Sequence, residues 1–255
     1  MLRRSADGLL SRLIGAARTI SSRAPARLGT AASFPADEPL ATLPVAILDT
    51  ETTGLNVAHD RLLAVAGLHS RGSRLETAPP LDYLVYPGIK IPKRAIAIHG
   101  IDDRKVAAAP PFALIWPSIQ IFWHRRVLVG HNIAFDLALL RHEAERHRLA
   151  FHPPAAAIDI GMLYAGLKPR AAAVTLDAIA RALAVEIAGR HSALGDAEAA
   201  AAIWRHLLPA LAGLGVGTLG GAQALIARQR DLMHGQGKAG WAVDLLLPHK
   251  LRSAP

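Results

Sequence analysis

The feature that most constrains this chain is the run Val45-Ala46-Ile47-Leu48, which passes directly into Asp49-Thr50-Glu51 and the Thr52-Thr53-Gly54 turn signal. Four apolar residues between Pro44 and a glycine turn predict a buried strand. Side chains two apart on a strand share a face, so Asp49 and Glu51 point the same way, about 7 Å apart along it. Carboxylates at the end of a buried run are costly unless something cationic compensates them. The fold must therefore be a sheet whose end is built to hold positive charge.

Three further residues fit that demand. Val127–Val129 reads as a second buried strand, followed by a helix over Ile133–His147 with Asn132 as candidate N-cap, which puts Asp136 in the first turn. If this strand lies beside Val45–Leu48, its C-terminal loop comes near Asp49. A later helix, Ala193–Leu208, has Ser192 as candidate cap and carries Asp196 on the same side as Ala200, Ile203 and Leu207, so that this carboxylate faces the sheet. His191 stands just outside that helix start, where an imidazole is free for general-base work. His99 and His131 are the other histidines with interesting company, and Phe135 reads as core. Four carboxylates in a chain with 0 Cys suit hard, oxygen-preferring divalent ions.

The domain around these residues spans 44–212. Leu62–Leu68 and Leu81–Tyr86 predict further strands, joined by short links into an antiparallel meander. Phe112–Trp123 predicts a helix despite Pro117, and Val174–Leu183 another. Strands first, then alternating strand and helix, give a mixed sheet with helices on its faces. Residues 1–43 form a basic, flexible extension with six arginines (Arg3, Arg4, Arg12, Arg18, Arg23, Arg27) and an apolar stripe at Leu9, Leu10, Leu13, Ile14 and Ala17. It reads as a basic tail, with a mitochondrial transit peptide as the alternative. Residues 213–255 begin with a glycine-rich linker, Gly213–Gly221, and continue into a helix over Ala222–Met233.

At 255 residues and 51% apolar, the chain can bury one sizeable core. Its formal net charge of +9 favours a polyanionic partner. No apolar run reaches the roughly 18 to 20 residues of a membrane span. With no cysteine, a reducing compartment fits, so a bacterial cytoplasm is expected, or the mitochondrion if the extension is a transit peptide.

The ordered set DTETTGL, HNIAFD and HxxxxD, helped by LVYPGIKIP and AIHGID, resembles the DEDDh exonuclease family, which includes the proofreading epsilon subunit of bacterial DNA polymerase III and ribonuclease T. The resemblance covers about residues 44–210. It implies an α/β, ribonuclease H-like fold: a mixed five-stranded sheet flanked by helices. It implies a 3′→5′ exonuclease using two Mg²⁺ or Mn²⁺ ions held by Asp49, Glu51, Asp136 and Asp196, with His191 as general base. Nucleoside 5′-monophosphates would leave single-stranded 3′ ends. Thr52 and Leu55 match positions that contact the terminal nucleotide, and His99 and Asn132 lie in segments near the substrate. Many relatives carry an acid in the second strand, where Leu63-Ala64-Val65 has none. DNA is the favoured substrate, with RNA trimming and a catalytically silent binding module as rivals. Lys93, Arg94, Arg104 and Arg190 are candidate phosphate contacts. Gln229-Arg230-Asp231-Leu232-Met233 is similar to the short peptides that dock bacterial replication proteins on the sliding clamp, against the simpler reading of a packing helix.

Overall fold

The structure, a computed structural model, describes residues 33–171 and 173–247. The arginine-rich stretch and its apolar stripe at residues 9–17, with both readings of them, lie outside the described residues.

The short apolar runs of the sequence mark four of its strands. β1 (Pro44–Thr52) is longer than its apolar run and pairs antiparallel with β2 (Leu62–Arg71) over its whole length. On its other side β1 pairs in parallel with β5 (Val127–Gly130), which in turn pairs in parallel with β6 (Ala157–Asp159). The outer edge of β2 is shared by two short strands, β3 (Arg74–Leu75) at one end and β4 (Leu81–Leu84) at the other. The sheet thus has six strands but is five strands wide. β4 stops two residues short of the expected Tyr86, which instead makes an isolated bridge to Pro111.

Helices cover both faces. Between β4 and β5 come two short helices too brief for apolar periodicity to reveal, α1 (Lys93–His99) and α2 (Asp103–Val106), then the expected α3 (Phe112–Trp123). The helix α4 (Ile133–Arg146) follows β5. β6 and α5 (Ile160–Leu167) were also not anticipated, because a three-residue strand running straight into a helix shows neither period for long enough. After α6 (Leu176–Ala182), the long α7 (Ala193–Gly213) lies across β1 and β2. It is pinned there by fully buried Trp204, whose indole N–H donates to the Gly72 carbonyl at 3.0 Å.

The C-terminal part differs from the single helix expected. It forms α8 (Leu219–Ala227) and α9 (Arg230–Lys238), with a break at Gln229, whose backbone N–H bonds back to Ile226. Gly220 and Gly221 belong to α8 rather than to a linker. A side chain at Gly220 would meet Ala36 at 2.9 Å, so the glycine permits close packing of residues 36–40 along residues 217–220. Leu40 and Leu43 are buried in the same core. In the Gln229–Met233 peptide, the Gln229 amide donates to the Leu225 carbonyl, and Leu232 and Met233 pack on the core. None of the helices among the described residues is long and apolar enough to cross a membrane.

Trp204→Ala should cost about 3–5 kcal/mol, as large-to-small changes in a close-packed core do. Urea unfolding followed by circular dichroism measures it; a loss below 1 kcal/mol would mean that α7 is not held to the sheet by this contact.

Candidate active site

β1 carries the first two acids. The register with β2 shifts between Glu51 and Thr52, so Leu63 is an extra residue on β2. Such a bulge bends the strand end and re-aims its side chains. Asp49 faces Ala66 and Glu51 faces Ala64 across the ladder. These small residues leave room beside the two acids and add no further negative charge.

The third acid, Asp196, sits in the first turn of α7, which is entered through a tight turn. Gly189 takes φ 71° and His191 φ 61°, a left-handed backbone that costs a histidine on the order of 1–2 kcal/mol. Ser192 caps the helix as expected, accepting from the Gly195 N–H. Gly195 itself has to be small, because a Cβ there would sit 2.3 Å from the Ala188 carbonyl. The turn therefore lies tight against the helix start, with Asp196 one helical step beyond. Ligand oxygens of Asp49, Glu51 and Asp196 all lie within 4.8 Å of one another, a grouping that can hold a metal ion. Asp196 Oδ1 is buried with no hydrogen-bond partner among the described residues. A donor set made only of carboxylate oxygens, one of them unsatisfied, fits a hard divalent ion.

Asp136 stands beside this group rather than in it. Its Oδ1 accepts a 2.6 Å bond from Thr50 Oγ1. Thr50 lies between Asp49 and Glu51 on β1, and the Asp136 charge bears on Asp49 more than any other neighbouring charge does. Near it, Asp159 caps α5 and accepts from Gln236 Nε2 at 3.3 Å.

The electrostatics follow from this crowding. Burial first, then the charges of Asp136, Asp196 and Glu51, raise the Asp49 carboxyl well above its ordinary range. Burial, with Asp196 next, pushes Glu51 up to about 7. Burial also brings Asp136 to about 7, against the opposing Thr50 bond. Asp196 is raised by burial, with Arg190 and His191 partly offsetting it. The compensating cation is Arg190, whose Nη1 donates to Asp196 Oδ2 and approaches His191 Nδ1 at 3.2 Å. Its other nitrogens grip Asp177 on α6, Nε to Oδ1 at 2.9 Å and Nη2 to Oδ2 at 3.1 Å. Arg190, expected as a free phosphate contact, is thus engaged within the acidic group. Asp177 and Thr50 were not picked out from the sequence, since each owes its place to a contact across elements.

The four substrate candidates divide. Leu55 is 75% exposed just beyond β1, an apolar side chain left in solvent. Thr52 is buried at the end of β1, its hydroxyl donating to the Gly54 carbonyl. His99 ends α1, donates from Nε2 to the Thr52 carbonyl at 3.2 Å and accepts at Nδ1 from Ile101. Asn132 occupies the N-cap position of α4, but in a left-handed conformation with φ 56° and without the side-chain cap expected of it. Its Oδ1 instead accepts from Gln236 Nε2 at 3.1 Å. The same segment adds Trp241, edge-on to buried Phe135, and the Ala242 N–H, which donates to the Ala134 carbonyl. The other histidine of interest, His131, hydrogen-bonds the Val174 carbonyl through Nε2 and is held in the structure.

Residues 46–204 match the family described as exonuclease, more than half of the chain. The chain belongs to that exonuclease family. It is 35% identical over 201 residues to a DNA polymerase III subunit epsilon-like protein of Rhodobacter capsulatus, a match covering 78% of this chain but 28% of that one. To the DNA polymerase III subunit epsilon of Rickettsia prowazekii it is 29% identical, over 62% of this chain and 71% of that one. Among solved structures, it resembles E. coli exonuclease I in complex with a dT13 oligonucleotide, with TM-score 0.60 and 18% identity, over 68% of this chain and 42% of that one. It also resembles exonuclease X in complex with 5′ overhanging duplex DNA, with TM-score 0.54 and 22% identity, over 71% of this chain and 99% of that one. These two likenesses bear on the fold. What the family shows of this chain is an exonuclease domain, which spans well under two thirds of the length of the first of these relatives and whose acidic group could hold a metal ion.

Carboxyls raised in the fold destabilise it as they ionise. The penalty is absent below the ordinary carboxylate pKa, grows as pH climbs, and is complete above about 7 for Glu51 and Asp136. In chelator, the melting temperature should therefore fall from pH 5 to pH 8, and Mg²⁺ should recover part of the loss. Asp49→Asn should melt higher than the native protein at pH 8 in chelator, by about 2–4 °C for each kcal/mol of repulsion removed. A variant that melts lower there would contradict this electrostatic account.

Proposed function

We propose that this nuclease is a 3′→5′ exonuclease that removes nucleoside 5′-monophosphates from nucleic-acid 3′ ends, with DNA as the preferred substrate. The observation that carries the reading is the convergence of Asp49, Glu51 and Asp196 within 4.8 Å, with His191 in the turn that leads into the helix of Asp196 and Arg190 touching both. Asp49, Glu51 and Asp196 would hold Mg²⁺ or Mn²⁺, with Asp136 completing the set for two ions. Bound there, such ions offset the charge that builds on the attacking and leaving oxygens and acidify water.

The chain's own groups do the rest. His191, half-buried and held by its turn rather than by core packing, takes the proton of the attacking water as general base. Leu55, apolar and exposed beside the acids, lies against the terminal base and, with Thr52, aligns the last nucleotide. Lys93, Arg94 and Arg104 are exposed on α1 and α2, the side from which His99 approaches Thr52, and supply phosphate contacts for the incoming strand. A net charge of +9 draws a polyanion to a site that repels it locally. The preference for DNA is supported by the names of the relatives, a DNA polymerase III subunit epsilon and a subunit epsilon-like protein, and by the DNA held in the exonuclease I and exonuclease X structures.

The test is hydrolysis of matched single-stranded DNA, duplex DNA and RNA, each labelled at the 5′ end and protected at one terminus in turn. Stepwise shortening of DNA from an open 3′ end, stopped by 3′ protection, is expected. Shortening from 5′ ends would overturn the polarity, and faster cutting of RNA would overturn the substrate. Asp49→Ala and Asp196→Ala should leave less than a few per cent of the activity at saturating Mg²⁺.

His191→Ala should lower turnover by about 10² to 10⁴, the usual worth of a general base, and the residual rate should climb with pH as hydroxide replaces it. If the variant instead loses metal affinity as severely as Asp196→Ala, His191 is a ligand and not the base.

A further inference from the structure

Arg190 sits where two parts of the site meet. One nitrogen, Nη1, donates to Asp196 Oδ2 and approaches His191 Nδ1 at 3.2 Å. A guanidinium only donates, so Nδ1 accepts and the ring proton is on Nε2. In that arrangement neither ring nitrogen has a free lone pair for a water proton, and one oxygen of Asp196 is taken. The remainder of the guanidinium rests on Asp177, through two parallel bonds to a side chain that is 50% exposed. That fork-to-fork seat lies on α6, outside the acidic group, and does not need Asp196 to exist.

We propose that Arg190 is a positioning residue that latches the site. It holds Asp196 and His191 together through Nη1, and a divalent ion entering among Asp49, Glu51 and Asp196 displaces Nη1 while Nε and Nη2 stay on Asp177. Displacement frees the ligand oxygen and the basic nitrogen in one movement, so the base becomes available only when the ion is in place. Asp177 makes that movement easy, because the displaced guanidinium keeps a partner instead of standing half-buried and unpaired among cations. A merely structural Arg190 would predict the opposite: removing it would loosen the turn and weaken ion binding.

This inference rests on the metal-binding reading above, and the experiment separates the two. Mn²⁺ is titrated calorimetrically at pH 8 into the full chain, its Arg190→Gln, Asp177→Asn and double variants, and Asp196→Asn. Circular dichroism confirms that each variant keeps its fold. Asp196→Asn should lose most of the Mn²⁺ affinity; if it binds as the native protein does, the metal reading itself fails. Given that loss, Arg190→Gln should bind Mn²⁺ roughly two- to fivefold more tightly, the range a partly exposed ion pair accounts for. Asp177→Asn should bind more weakly than the native protein, and that effect should vanish in the Arg190→Gln background. Unchanged or weaker binding by Arg190→Gln overturns the latch, and a persisting Asp177→Asn effect in the double variant overturns the seat.

Discussion

Three carboxylates held within 4.8 Å of one another are the constraint on which the rest of this structure depends. Like charges at that separation repel strongly wherever water is partly excluded, and the chain meets the repulsion in several ways. Small alanines, Ala64 and Ala66, stand opposite Glu51 and Asp49 where another acid would worsen it. Burial raises all three carboxyls and Asp136 beside them, Glu51 and Asp136 to about 7, so that part of the charge is absent at neutral pH. Arg190 supplies the only cation seen touching the group among the described residues. Each of these is local relief for a group whose remaining charge a divalent cation could offset.

The segment after α7 matters for a related reason. Asp136 reaches Thr50 from a helix whose first residue follows a left-handed Asn132, a conformation that asparagine tolerates better than most residues but that still needs support. Gln236 gives that support by donating to both Asn132 and Asp159, while Trp241 packs on Phe135. The C-terminal helices thereby brace the loop that places the fourth acid, and Leu232 and Met233 serve that packing. An extended docking peptide at Gln229–Met233 would require α9 to detach from the core.

Much of the site was legible in the sequence because it obeys two simple periods. Asp49 and Glu51 share a face because strands repeat every two residues, and Asp196 faces the sheet because Ala200, Ile203 and Leu207 do. The pairing of β1 with β5 was readable from two short apolar runs that end in polar loops. What stayed hidden depends on contacts between elements. Thr50 looks like a spacer until Asp136, on α4, turns out to be its hydrogen-bond partner. Arg190 looks like a solvated cation until Asp177, 13 residues earlier, turns out to be its partner. The strand Ala157–Asp159 has only three residues, too few for alternation to show. The single helix expected over Ala222–Met233 breaks at Gln229, a residue with no helix-breaking character of its own.

The central claim is that Asp49, Glu51 and Asp196 form the centre where divalent ions gather. Anomalous diffraction from crystals grown with Mn²⁺ and a nucleoside 5′-monophosphate tests it most directly. The account predicts a strong manganese peak within coordination distance of all three carboxylates, with Arg190 Nη1 no longer on Asp196. A manganese ion bound elsewhere, with the three carboxylates still paired only to Arg190, would contradict it.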